Sequence, residues 1–404
     1  MMKRRFMTVM VMLLAIALLT STAAISTSAA TTITGGTVNF TKYLVVDDDA
    51  NIPNTTMSFA IAPGTAIAAT NSTIAVYAGP TGATVGTVTF APTDTTYTTV
   101  QTGDDVTLAS GKKYAKQTGA IDLSGATFTE PGVYRYVLTE TSATDTAVGT
   151  DPTPLYLDVY VTSDDSGNLT LSSTVLHTSN AAPARNNDSG SADVVADDDA
   201  VADKTTGFTN TYPTNTITFS KDVAGNQASR DKYFQFTLTL TGLTEGNTYT
   251  VDLSDADASI AANPNAATTV ITSAVTQPAT LTAPAGGTIT QVYYLKNGQS
   301  ISVLGLPEGA SYTILENEED YTPAVVVTGD VDASDEDESS ITANHQAAGT
   351  LDSNDGDITA AFTNTKDGII PTGVIIAMAP FAIGLFVFAA VVIFIVAKKR
   401  RASY

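Results

Sequence analysis

The chain has 404 residues, with 41 Asp and Glu against 19 Lys and Arg, and contains neither cysteine nor tryptophan. A net charge of −22 disfavours nucleic acid and anionic membranes as partners, and the lack of cysteine excludes a thiol nucleophile and any disulfide. The only histidines, His177 and His345, sit in no catalytic motif, and Gly35-Gly36 and Gly286-Gly287 read as turns rather than phosphate loops, so an enzyme is the weakest class.

Residues 1–30 carry Lys3, Arg4 and Arg5, then the apolar run Phe6 to Leu19, then small residues ending Ser28-Ala29-Ala30. This is the layout of a secretory signal peptide, too short in its apolar part to span a bilayer, with the cut after Ala24 or Ala30. An exported chain without cysteine must draw its stability from another source than disulfides.

From residue 31 onward, short alternating runs are separated by Gly, Pro, Asn and Asp: Val38 to Val46, Tyr134 to Thr141, Leu155 to Val161, Lys232 to Leu240, Thr248 to Leu253 and Ser311 to Glu316. No long segment up to residue 368 has helical period. The pattern predicts an all-β protein of two tandem β-sandwich domains, 31–212 and 213–368, with the boundary near Pro213. The polar, aperiodic stretch Ser179 to Asp203 reads as a long mobile loop of the first domain. The acidic runs Asp47-Asp48-Asp49, Asp197-Asp198-Asp199 and Asp330 to Glu338 lack the glycine and closing glutamate of a calcium loop. They read as solvated loops, and neither metal nor cofactor is expected.

Internal repetition carries the most information. Phe40-Thr41-Lys42 recurs as Phe219-Ser220-Lys221, Tyr136 to Glu140 as Tyr312 to Glu316, and Phe208-Thr209-Asn210-Thr211 as Phe362-Thr363-Asn364-Thr365. Each half thus has a Lys near its start, a Glu late and an Asn at its end. Residues two apart on a strand share a face, which puts Lys42 with Phe40 and Leu44, and Lys221 with Phe219 and Val223. Glu140, Glu316, Asn210 and Asn364 likewise fall on apolar faces. Six buried polar groups need a common explanation. Burial lowers a lysine pKa and raises a glutamate pKa, leaving a neutral amine as nucleophile and a protonated acid to polarise a carboxamide. Attack of the amine on the Asn carbonyl expels ammonia and leaves an isopeptide bond, a single-turnover self-modification.

The chain ends in Ile369-Ile370-Pro371-Thr372-Gly373, an apolar span from Val374 to Ala397 long enough to cross a membrane, and the basic tail Lys398-Lys399-Arg400-Arg401. This order resembles a sortase sorting signal, one residue shorter between Pro371 and Thr372 than the common form. The resemblance implies cleavage between Thr372 and Gly373 and transfer of the Thr372 carboxyl to an amine. With both ends removed, twelve Lys and Arg face all 41 Asp and Glu, a mature net charge of −29.

Over nearly the whole mature chain the arrangement resembles Gram-positive, sortase-assembled backbone pilins of the streptococcal T-antigen type, with Ig-like (CnaB-like) domains. The resemblance implies Lys42 joined to Asn210 with Glu140 assisting, and Lys221 joined to Asn364 with Glu316 assisting. It also implies a surface lysine that receives Thr372 of the next subunit. Lys112, Lys113, Lys116, Lys204, Lys232, Lys296 and Lys366 remain for that role. Lys204, just before the last strand of the first domain, matches the linking lysine of such pilins in placement, although Asp203-Lys204-Thr205-Thr206 is no recognisable pilin motif. The implied partners are a sortase, identical subunits, peptidoglycan, accessory pilins and host surface ligands, with the precursor transiently in the membrane and the product on the cell wall. The competing reading is a monomeric wall-anchored adhesin or spacer.

Overall fold

The computed structural model describes residues 32–184, 203–253, 279–317, 319–329, 340–343, 345–352 and 356–368. The signal peptide, the sorting motif, the apolar span and the basic tail lie outside these residues. So do residues 185–202 of the expected loop and the acidic run 330–338.

The described residues contain no helix; Thr- and Val-rich segments form 24 strands instead. The first half holds β1 (Ile33–Thr34), β2 (Thr37–Asp47), β3 (Thr55–Pro63), β4 (Val76–Ala78), β5 (Thr84–Val85), β6 (Val88–Phe90), β7 (Thr96–Tyr97), β8 (Lys112–Asp122), β9 (Thr127–Phe128), β10 (Gly132–Ala143), β11 (Leu155–Ser163), β12 (Leu169–His177) and β13 (Gly207–Thr211). The second holds β14 (Thr214–Ala224), β15 (Phe234–Thr241), β16 (Thr248–Leu253), β17 (Thr280–Thr282), β18 (Ile289–Leu295), β19 (Gln299–Pro307), β20 (Ser311–Glu316), β21 (Thr322–Thr328), β22 (Ser340–Ala343), β23 (Gln346–Thr350) and β24 (Ile358–Thr365).

Two sheets face each other in each half. In the first, the order β12-β11-β10-β3-β6, with β4 added in parallel to β10, packs on β13-β2-β8-β5, with β7 on β8. In the second, β17-β16-β19-β14-β24-β21 packs on β18-β15-β20-β23-β22. Each sandwich has its own apolar core, one around Phe40, Tyr136, Leu157 and Phe208, the other around Phe219, Phe236, Ile314 and Phe362. The all-β tandem-sandwich expectation therefore agrees with the observed architecture.

In both halves the last strand lies parallel to the first long strand: β13 pairs β2 and β24 pairs β14. Parallel neighbours cannot be joined by a tight turn, so first and last strands meet only after the rest of the sandwich has been traversed. A cross-link between them would close nearly the whole domain.

The sandwiches meet at a polar junction around buried Asn247. Its Oδ1 accepts the backbone N–H of Asn54 at 2.6 Å, and its Nδ2 donates to Asp145 Oδ2 at 2.8 Å and Tyr212 OH at 3.3 Å. Gly305, at φ +76°, lies against Ala50, where an added Cβ would come within 2.8 Å of its Cα.

Candidate functional site

Two buried triads occupy equivalent places. In the first sandwich Lys42 on β2 lies opposite Phe208 of β13, so Asn210, two residues further along and on the same face, comes beside the lysine side chain. Glu140 reaches the pair from β10 in the facing sheet. In the second, Lys221 on β14 lies opposite Phe362 of β24, Asn364 follows two residues later, and Glu316 arrives from β20. Glu140 pairs across its sheet with Phe59, and Glu316 with Phe236. The register thus repeats at all three positions.

Lys42 and Lys221 are wholly buried, with Glu140, Asn210, Glu316 and Asn364 nearly so. In the first triad Lys42 Nζ donates to Glu140 Oε2 at 2.6 Å and to Asn210 Oδ1, and Asn210 Nδ2 donates to Glu140 Oε1. The carboxyl therefore touches both the amine and the carboxamide, and the amine touches the carboxamide oxygen. In the second, Lys221 Nζ lies 2.7 Å from Glu316 Oε1, and Asn364 Nδ2 donates to the same oxygen at 2.8 Å. There Asn364 Oδ1 and Glu316 Oε2 make no hydrogen bond.

Burial pulls both lysines down to about 8, against the opposing pull of Glu140 and Glu316 respectively. Burial raises Glu316 despite the neighbouring Lys221. Both shifts favour proton transfer from ammonium to carboxylate, which yields the neutral amine and neutral acid that amide exchange requires.

Aromatic rings dry both sites. Phe40 lies edge-on to Phe59 at 5.1 Å and to Phe208 at 6.1 Å; Phe236 lies 5.7 Å from Phe219 and 5.1 Å from Phe362. Lys221 Nζ sits 4.5 Å from the centre of the Phe234 ring, and Lys42 Nζ 5.6 Å from that of Phe208. The repeat comparison did not single out Phe59, Phe234 or Phe236, although Phe234 and Phe236 fall in the recognised run Lys232 to Leu240. Met57, whose Sδ lies 3.9 Å from Asn210 Nδ2, carried no sequence signal.

Lys204 is exposed, on the segment that crosses from β12 in one sheet to β13 in the other, and forms an isolated antiparallel bridge with His177. Among the other lysines, Lys112 pairs with Asp47 at 2.6 Å, Lys116 with Asp104 at 2.7 Å and Lys232 with Glu319 at 2.9 Å. Lys113 donates to the Asp48 carbonyl, Lys366 pairs with Asp320, and Lys296 lies over Tyr233. Residues Ile369, Ile370, Pro371, Thr372 and Gly373 lie outside the described residues.

A family model described as a domain of unknown function (DUF7601) matches residues 215–366. A protein named Pilin from Streptococcus pyogenes serotype M1 is 28% identical over 399 residues, covering 97% of this chain and 98% of its own length. Among solved structures, a major pilin from Streptococcus pyogenes aligns with TM-score 0.51 and 23% identity, over 83% of this chain and 100% of its own. The major pilin T3.2 from Streptococcus pyogenes serotype GAS13637 aligns with TM-score 0.50 and 18% identity, over 84% of this chain and 100% of its own. The chain thus resembles the streptococcal backbone pilins, in sequence along nearly its whole length and in fold across both sandwiches.

Proposed function

We propose that this chain is the structural subunit of a cell-surface pilus whose copies are joined covalently, and that each sandwich locks itself with a Lys–Asn isopeptide bond. The observation that carries the reading is the duplicated triad. Two buried Lys, Glu and Asn sets in one register, each spanning first and last strand, have no evident role in a simple ligand-binding module.

In each bond the neutral Lys Nζ attacks the Asn side-chain carbon, the C–N bond to the amide nitrogen breaks, and ammonia leaves. Glu140 and Glu316 carry the proton from the attacking amine to the departing nitrogen. The bonds close loops of about 140 to 170 residues, for which chain entropy suggests about 5 kcal/mol each. They also give tension a covalent route between first and last strands. A fibre needs that route in every repeat.

Joining subunits is assigned to a sortase, which exchanges the Thr372–Gly373 peptide bond for an amide between Thr372 and Lys204 of the next copy. The same exchange with a wall amine attaches the fibre to peptidoglycan, and accessory pilins that meet host surfaces complete the assembly. Two measurements test this. The mature chain is expected to be lighter than its sequence by about 34 Da, one ammonia for each of two bonds. Wall extracts boiled in detergent are expected to give a ladder that vanishes without the sortase. A single monomer band from expressing cells would overturn the polymer and leave a wall-anchored adhesin or spacer.

A further inference from the structure

The first sandwich buries a second charged cluster that the isopeptide chemistry does not use. Arg135 on β10 alternates with the core residues Tyr134 and Tyr136, so its side chain leaves the sheet on the outer face, where solvent is expected. Yet it is completely buried, as are Asp158 and His177 within a few percent. Arg135 and Asp158 are cross-strand partners on β10 and β11, and His177 ends β12 at the sheet edge.

The contacts run in one direction, from sheet centre to edge. Arg135 Nε and Nη2 donate to the two oxygens of Asp158, both at 2.7 Å, and His177 Nε2 donates to Asp158 Oδ2 at 3.1 Å. Burial alone would push Asp158 up, but hydrogen bonds from Arg135 and His177 hold it below the usual carboxylate range. The rest of the guanidinium holds the chain beyond β12: Nη1 donates to the Asn180 carbonyl at 2.7 Å and its Oδ1 at 3.0 Å, and Nη2 to the Ala181 carbonyl at 2.9 Å. A planar, multiply donating guanidinium fixes orientation as well as distance.

That edge carries Lys204. His177 bridges Lys204 directly, Thr178 N donates to the Asp203 carbonyl at 2.9 Å, and Thr205 N to the Leu176 carbonyl at 3.0 Å. On the other side, Thr41 N donates to the Thr206 carbonyl at 2.7 Å, and Tyr43 OH lies 2.7 Å from Thr206 Oγ1. Residues 203–206 are therefore pinned between the edges of two sheets, one of them set by the buried cluster.

We infer that Arg135, Asp158 and His177 are positioning residues for the inter-subunit linkage, holding the backbone on which Lys204 is offered as acceptor. The inference rests on the reading of Lys204 as the linking lysine. In that exchange the Thr372–Gly373 bond breaks, the Lys204 ammonium gives up two protons as its Nζ forms the new amide, and the Gly373 nitrogen takes up two and leaves as an ammonium. The acceptor half depends on where the amine is held, and the donor half does not.

The test uses the precursor freed of its signal peptide but keeping its sorting signal, the cognate sortase, and three variants, Arg135→Gln, His177→Gln and Lys204→Arg. Hydroxylamine serves as a small alternative acceptor. In Arg135→Gln and His177→Gln, transfer to hydroxylamine is expected to stay at the parent rate while subunit joining falls about tenfold or more, the scale of a misplaced reacting group. The milder His177→Gln carries the comparison should Arg135→Gln not fold, and intact mass reports whether the isopeptide bonds have formed. Joining at the parent rate in folded His177→Gln, with Lys204→Arg inactive as acceptor, overturns the positioning role alone. A full ladder from Lys204→Arg overturns the linkage reading itself.

Discussion

The double variant Lys221→Met with Glu316→Gln separates a covalent bond from a buried ion pair by the sign of its effect. Methionine keeps the length of the lysine side chain, and glutamine retains an acceptor for Asn364 Nδ2, which donates to Glu316 at 2.8 Å. Neither substitution leaves a charge in the apolar interior. If Lys221 and Glu316 were only a salt bridge, the exchange would be neutral or stabilising by about 1–4 kcal/mol, because desolvation offsets most of the attraction. If Lys221 is joined to Asn364, the variant loses a cross-link across about 140 residues, worth about 5 kcal/mol. For a domain of this size that is a fall of about 10–20 °C in Tm. Scanning calorimetry of the mature chain measures it, and intact mass confirms one bond fewer. A variant that melts at or above the parent would refute the cross-link account of this sandwich.

Three further outcomes are expected. Asn364→Ala keeps Lys221 but cannot form its bond. A buried lysine lowered to about 8 is neutral in the folded state while still charged in the unfolded chain, so this variant gains stability as pH rises from about 8 toward 10. Urea midpoints relative to the parent, whose Lys221 is consumed, check it, and a difference that does not change over that range would refute it. Gly119→Val drives a side chain into Phe40, whose Cζ lies 2.2 Å from where the new Cβ would stand, at a cost of about 1–3 kcal/mol. Peptide mass mapping should then show a lower yield of the Lys42–Asn210 bond. Asn247→Ala removes the donor to Asp145 and the acceptor for Asn54 N, about 1–3 kcal/mol for the buried group left unpaired. Calorimetry is expected to resolve two transitions that coincide or lie closer in the parent.

What could be read from sequence depended on whether a residue's neighbours lie along its own strand or come from elsewhere. Lys42 and Lys221 announce themselves because period-two alternation is local: Phe40 and Phe219 point the same way as their lysines, and both faces are buried. The strand Ser311–Glu316 follows from the same rule. Arg135 obeys the alternation too, and on that basis belongs in solvent. It is buried because residues 179–184, a stretch with no periodic pattern, run across it and take its hydrogen bonds through backbone carbonyls, which sequence identity does not reveal. Asn247 is equally silent, since its partners Asn54, Asp145 and Tyr212 belong to three distant parts of the chain. The short strands β4 to β7 also escape, being too brief for alternation to register. The triads differ from all of these in being duplicated. A single inward lysine has many explanations, whereas the same residue types recurring in the same order on two sandwiches restrict the explanation to something each sandwich needs separately. Closing each sandwich from first strand to last meets that need, because tension on a fibre passes through every domain in turn, and a cross-link in one sandwich does nothing for the next.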